Sequence, residues 1–438
     1  VGDQYSRRFF DFSRILLVAG MGLFYGISAE AKNWPPVPQI AWIGKNVQAV
    51  VNPGIFALQT DEVLPTDSDR VDHSLKGYEQ PGLIAVLYDT APRRSNIRVI
   101  DRSGQVVHEW TPRWLDVWSP DEGTFVARPP KDWYIHGMKV LPDGSFVANF
   151  EHYSTFRMDV CGEIVWKLDN FGHHSVSLGP DNTIWVPAEK RLLKETSDYP
   201  AHQAPFRAYQ LQQVDLGGEV LKTIDLIDIF FKNDLDGFLF MRSPDNGIGW
   251  VAGDTLHLND IEVVPAGYPS SLFEPGDLLV SMRNIQTLVV VDPHDETIKW
   301  TYSGGFVAQH DPDFLPSGNI SIFDNRPHRM FQTDVRTTSR VLELDPLTGS
   351  RRTIIGDTSE RTFFSRITGS HSHLENGNIL IVASQEGRLL EFTRDGRLVW
   401  RYDARISEME NGRVYNAEVL PAHMDRAFFE AAKRSCEQ

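Results

Sequence analysis

His136-Gly-Met-Lys-Val-Leu-Pro-Asp-Gly-Ser-Phe-Val-Ala-Asn149, followed by Met158-Asp-Val-Cys-Gly-Glu-Ile-Val-Trp166, is the stretch from which the fold can be read. It pairs a Pro-Asp-Gly turn with short apolar runs on either side, then repeats the idea with an acidic residue, a Gly turn, aliphatic residues and Trp. Its parts return in His310-Asp-Pro-Asp-Phe-Leu-Pro-Ser-Gly-Asn-Ile-Ser-Ile-Phe323 and in Leu390-Glu-Phe-Thr-Arg-Asp-Gly-Arg-Leu-Val-Trp400. A unit that recurs at this spacing buries its apolar face only against its neighbours, which is the signature of a repeat architecture.

Working outward, strand-like runs begin at Gly82-Leu-Ile-Ala-Val-Leu-Tyr88 and continue to about Pro421 with almost no helical period. Asp-Gly, Ser-Gly, Asn-Gly and Asp-Pro turns separate them, as hairpins require. Roughly 340 residues in units of roughly 40 to 60 predict an all-β fold, a six-bladed β-propeller. The domain plan is residues 1–31 as an N-terminal signal or membrane helix, 32–80 as an irregular linker, 81–424 as the propeller, and 425–438 as a helical tail. Two longer insertions, Lys190 to Arg207 and Phe230 to Asp254, interrupt the rhythm, and the second reads as a lid or else as a surface decoration or oligomer contact.

The 438 residues carry 59 acids and 43 bases, a net charge of −16, with the bases scattered. No cationic track exists for a phosphate backbone, so nucleic acid is excluded as a partner. The two cysteines, Cys161 and Cys436, are compatible with one disulfide, two free thiols, or one of each. At the front, Arg7-Arg8 precede the apolar run Ile15 to Ile27, and Ser28-Ala-Glu-Ala31 ends it in a small-x-small pattern. That combination predicts an export signal or uncleaved anchor, tethering the body to the periplasmic side of an inner membrane.

Aligning the units on their turns gives the first functional signal. His136, His174 and His310 each stand eight residues before the Gly144, Asn182 or Gly318 of their turn, while Asn259 and Gly369 occupy the corresponding region elsewhere, flanked by His257 and His371. The first strand of each blade lines the central channel, so these residues should converge at one mouth.

The ordered segments His257-Leu-Asn259, Ser281-Met-Arg-Asn284, Gln309-His-Asp311, Phe323-Asp-Asn-Arg326 and Ser339-Arg-Val-Leu-Glu343 resemble the bacterial arylsulfotransferase family. The resemblance covers roughly residues 252 to 400. It implies transfer of a sulfuryl group from a phenolic sulfate ester to another phenol through a sulfated histidine, without a nucleotide donor, a metal or any other cofactor. On its motifs His257 and His310 are supporting histidines, Arg326 is the arginine after Phe-Asp-Asn, and the nucleophile is His371, with His373 as the alternative. His136, His174 and Asn259, together with His373, are expected to line the substrate site. The residue types suit this chemistry: a neutral imidazole attacks sulfur near neutral pH, and the remaining cations hold the sulfuryl oxygens.

No counterpart of the extra N-terminal β domain or of the short-spaced cysteine pair of the better-known soluble members is expected here. A non-catalytic propeller docking into a membrane complex, or self-associating, is therefore a second expectation. A zinc-type hydrolase built on the channel histidines, with Asp260, Asp311 and Asp313 nearby, is a third.

Overall fold

The computed structural model describes residues 71–90, 94–119, 122, 134–194, 206–241, 253–327, 338–356, 363–407 and 410–437. The chain divides into two compact units, 1–62 and 63–438, and the described residues all belong to the second. The expected N-terminal helix at 1–31 lies outside the described residues, as do 195–205 and 242–252 of the two insertions. Among the described residues no helix is long and apolar enough to cross a membrane.

Six antiparallel sheets form the six blades of a propeller. Blades 2 to 6 follow one another in sequence, each starting with its channel strand: Ile135–Val140, Ser177–Leu178, Leu258–Val263, His310–Phe314 and Ser370–His373. Blade 1 is closed from the far end of the chain. Its outer strands are Ile84–Thr90, Arg94–Ile100 and Val106–Trp110, and its channel strand is Val414–Val419, in register from Ile84 opposite Val419 to Tyr88 opposite Val414. Blade 6 gains a fifth strand from Val71–Asp72, paired with Tyr402 and Arg401, inside the stretch expected to be linker.

The middle strands explain why the apolar runs are continuous rather than alternating. Leu278–Met282 and Thr287–Val291 are buried at every position, because each blade packs a neighbour against both faces. The recurrent tryptophans have a shared task at the rim. Trp110, Trp166, Trp300 and Trp400 each sit in a fourth strand, and their indole N–H groups donate to Asp159 O (3.0 Å), Leu216 O (3.0 Å), Pro346 O (3.0 Å) and Arg102 O (2.9 Å) in the outer turn of the next blade.

Part of what reads as loop in the insertions is regular structure. Ile184–Leu192 and Phe206–Val214 are one long hairpin, and Leu226–Lys232 is a short helix that buries Leu226, Ile227, Ile229 and Phe230 beside blades 3 and 4. The chain ends in the helix Arg426–Cys436, whose N-cap Asp425 accepts from the Phe428 N–H. Phe429 is buried against His108 and Trp110, and Cys436 is disulfide-bonded to Cys161 in the outer turn of blade 2.

Candidate active site

Four of the histidines singled out in the sequence meet at one mouth of the channel. The His136 and His174 rings are 4.3 Å apart, His174 and His257 are 5.0 Å apart, and His174 and His310 are 6.5 Å apart. Each stands where the chain enters a channel strand, and the entry is tight: His174 (φ 53) and His257 (φ 54) adopt the left-handed backbone region, which costs a residue other than Gly. Gly137 makes the approach of blades 2 and 3 feasible, since a Cβ there would lie 1.7 Å from His174 O. His136, His174, Asn259, His310 and Tyr415 line a small cavity of about 50 Å³. Two larger hollows, of about 620 and 850 Å³, carry none of these histidines.

The residues just after the second strand of a blade set the state of the imidazoles. In blade 2 this is Glu151, with Oε2 3.1 Å from His136 Nδ1 and Oε1 3.2 Å from His174 Nδ1 and 3.3 Å from His152 Nε2. Burial pushes the Glu151 carboxyl up, but the surrounding histidines His136, His152 and His173 outweigh it and hold it well below the usual carboxylate range. His173 and His174 face each other Nδ1 to Nδ1 at 2.9 Å, an arrangement in which only one nitrogen carries the proton. Burial, with the neighbouring imidazoles, depresses both, His173 to about 3.

His310 is held in one tautomer. Its Nδ1 lies 2.8 Å from Asn325 Oδ1 and 3.1 Å from Ala308 O, both acceptors. Asn325 cannot be turned around, because its Nδ2 donates to Ser365 O (2.9 Å) and Thr368 O (2.6 Å). Nδ1 therefore carries the proton, and Nε2 keeps its lone pair beside the cavity that His310 lines. Burial and then the Arg283 charge keep this imidazole neutral, well below its ordinary value.

His257 forms a dyad with Asp254, Nδ1 to Oδ2 at 2.5 Å, and Asp254 also accepts from the Tyr209 hydroxyl at 2.5 Å. Burial lowers the His257 value and the Asp254 charge works against that. Asp254 itself is held well below the carboxylate range: His257 and Tyr209 overcome the burial that would raise it. Asn259 donates to Gln309 O at 2.7 Å, which couples blades 4 and 5. Arg326 is buried next to Asn325 with left-handed backbone (φ 53), and its N–H donates to Val307 O.

His371 is not in this group. It stands two residues beyond Gly369, the blade 6 position that corresponds to His136 and His310, and so about 7 Å farther along the strand. Its Nδ1 is 3.0 Å from Asp311 Oδ2 and its Nε2 is 2.7 Å from Ser321 Oγ, so both ring nitrogens are engaged with blade 5. His373 lies farther still, 5.6 Å ring to ring from His371, at an exposed position.

The same level of the channel holds a set of acids. Asp260 and Glu262 from blade 4 and Asp311 and Asp313 from blade 5 lie close enough to repel, and burial with that repulsion pushes Asp260 and Asp313 well up. Glu262 is raised by burial to about 7 despite Lys139, whose own value is raised by Glu418 and Glu262. Among the described residues, three groups have donor atoms within 4.8 Å of one another, as a metal would require: His136–Glu151–His174, His152–His173–Glu189 and Asp311–Asp313–His371. Sequence reading had missed Glu151, Asp254 and Asn325; what points to them is position, directly after a second strand or before a channel strand.

The family described as arylsulfotransferase (ASST) matches residues 137–405. No curated protein matches the chain. Among solved structures, a protein of unknown function from Bacteroides caccae aligns with 12% identity and a TM-score of 0.49, over 77% of this chain and 98% of that one. Kuenenia stuttgartiensis hydrazine synthase aligns with 13% identity and a TM-score of 0.41, over 68% and 71%. A virginiamycin B lyase from Staphylococcus aureus aligns with 8% identity and a TM-score of 0.40, over 78% and 90%.

Proposed function

Because the chain belongs to the arylsulfotransferase (ASST) family, we propose that it moves a sulfuryl group from a phenolic sulfate ester to a phenol, with His310 Nε2 as the carrier. The observation that carries this reading is the Asn325 lock, which leaves an unprotonated imidazole nitrogen on the cavity. In the first half, Nε2 attacks sulfur, the N–S bond forms and the S–O bond to the aryl group breaks; the departing phenolate takes a proton from His257, oriented by Asp254. In the second half, His257 takes the proton of the incoming phenol, whose oxygen displaces His310 from sulfur. A phenol leaves with a pKa near ~10, within reach of one general acid. The cavity, of about 50 Å³, suits the sulfuryl group alone, so the aryl ring sits outward at the mouth. Arg326, His136 and His174 are assigned to the sulfuryl oxygens or the ring, and His371 to holding blade 5 against blade 6.

The disulfide between Cys161 and Cys436 supports an oxidising, exported location, in keeping with the signal-like pattern of residues 1–31. Membrane tethering and a membrane-complex partner rest on that pattern alone. The histidine–carboxylate groupings favour a metal-dependent hydrolase as the second reading.

A chromogenic aryl sulfate, supplied with and without a phenol, separates these readings. Acceptor-dependent release that ignores chelator, with a protein-bound sulfuryl adduct present in His371→Ala and absent in His310→Ala, is the expected result. An adduct present in His310→Ala and absent in His371→Ala would move the carrier to His371. Loss of turnover with chelator would replace transfer by metal-assisted hydrolysis, and no turnover in the wild type would favour the docking role.

A further inference from the structure

Arg366 lies on the segment that leads into the channel strand of blade 6 and is 6% exposed. Its backbone N–H donates to Gln385 Oε1 at 2.7 Å, which fixes the segment. The guanidinium is another matter: Nε is buried without a partner, and among the described residues no side-chain hydrogen bond or ion pair of Arg366 is formed. The charges that act on it are those of Arg413 and Arg283, both of its own sign. A guanidinium cannot shed its proton to escape such a place, and a buried N–H of a charged group left without an acceptor is destabilising. A counter-charge from outside the chain would remove that cost.

The position says which chemistry supplies it. Ser365 O and Thr368 O, on either side of Arg366, are the two acceptors that hold Asn325, and Asn325 holds His310. Arg283 acts electrostatically on His257, His310 and Arg366 alike, so positive charge extends from the histidine group to Arg366. Planar forked donors match the three oxygens of a sulfuryl group better than a point charge does.

We infer that Arg366, together with Arg283, is a binding site for a sulfate-type oxyanion, joining Arg326 at the sulfuryl oxygens beside His310. This deepens the transfer reading and rests on it for the identity of the anion. No bond to either arginine forms; they hold the oxygens while the S–O bond breaks and the N–S bond forms.

Inorganic sulfate is the probe, titrated into the full chain against chloride at matched ionic strength, with affinity read by calorimetry and melting temperature recorded in parallel. Arg366→Gln should bind sulfate at least about tenfold more weakly, the size of one lost charged hydrogen bond, and Arg366→Lys should recover part of the affinity. In chloride, Arg366→Gln should melt no lower than wild type, because it removes an unpaired charge. Equal sulfate affinity in wild type and Arg366→Gln would overturn the site, as would a lower melting temperature in chloride, which marks a merely structural arginine. If Arg366→Gln fails to fold, Arg366→Lys decides by the same affinity comparison. Sulfate binding that depends on Arg366 in a protein without transferase activity would keep the anion site and remove the transfer reading; active protein with Arg366-independent sulfate binding would do the reverse.

Discussion

At the scale of single residues, the site works by leaving each histidine little choice of protonation. Asp254 is the group that resists the downward pull of burial on His257, so Asp254→Asn should shift the His257 ionisation to lower pH. Transfer should fall by roughly 10- to 100-fold, the loss of one charge-assisted hydrogen bond, and a pH–rate profile would show both effects. A transfer rate within twofold of wild type would remove His257 from acid–base duty. Glu262 makes the opposite case, since its folded value of about 7 lies above the ordinary 4.5. The protonated acid is the form the fold prefers, so stability is whole below about pH 4.5 and is lost as pH rises through about 7. Chemical denaturation of Glu262→Gln should match wild type near pH 4 and exceed it above pH 7 by at most about 3–4 kcal/mol, the work of ionising a carboxyl held at about 7 instead of 4.5. A gap that closes as pH rises would contradict the assignment.

At the scale of elements, close approach between blades is what brings the histidines together. Gly137→Ala places a Cβ 1.7 Å from a backbone oxygen, so the blade 2 strand must retreat from His174. We expect a loss of about 2–4 kcal/mol in stability and of nearly all transfer activity, measurable by thermal melting and the aryl sulfate assay. The rim tryptophans act at the opposite end of the blades. Trp300→Phe keeps the packing against Phe273 but deletes the donor to Pro346 O, and should cost about 1 kcal/mol. Urea unfolding at fixed pH would measure it, and no change in midpoint would mean that the indole N–H bond adds nothing net.

At the scale of the whole molecule, closure of the ring depends on both ends of the chain. Val414–Val419 completes blade 1, Val71–Asp72 extends blade 6, and the Cys161–Cys436 bond, spanning 275 residues, ties the terminal helix to blade 2. A cross-link that closes so long a loop limits the unfolded chain, so Cys436→Ser should lower stability by roughly 2–4 kcal/mol. Reducing the wild type should have the same effect, while reduced and unreduced Cys436→Ser should melt alike.

How much of this was legible beforehand divides along range of interaction. The all-β class, the blade number and the convergence of His136, His174, His257 and His310 follow from local signals: turn residues with positive φ, apolar runs that must be buried on both faces, and a constant distance from histidine to turn. The linker assigned to residues 32–80 ran too far because a two-residue strand such as Val71–Asp72 has no pattern of its own; only its partners Tyr402 and Arg401 define it. The motif could favour His371, but a two-residue offset along a strand, harmless to a motif, moves a side chain about 7 Å and here into contact with Asp311 and Ser321. Sequence alone thus determined that His136, His174, His257 and His310 share a place near the start of their blades, because strand period and turn spacing are local. Which imidazole keeps a free nitrogen was decided only by tertiary structure, because Asn325, Asp254 and Glu151 reach their histidines across folds of the chain that no local pattern encodes.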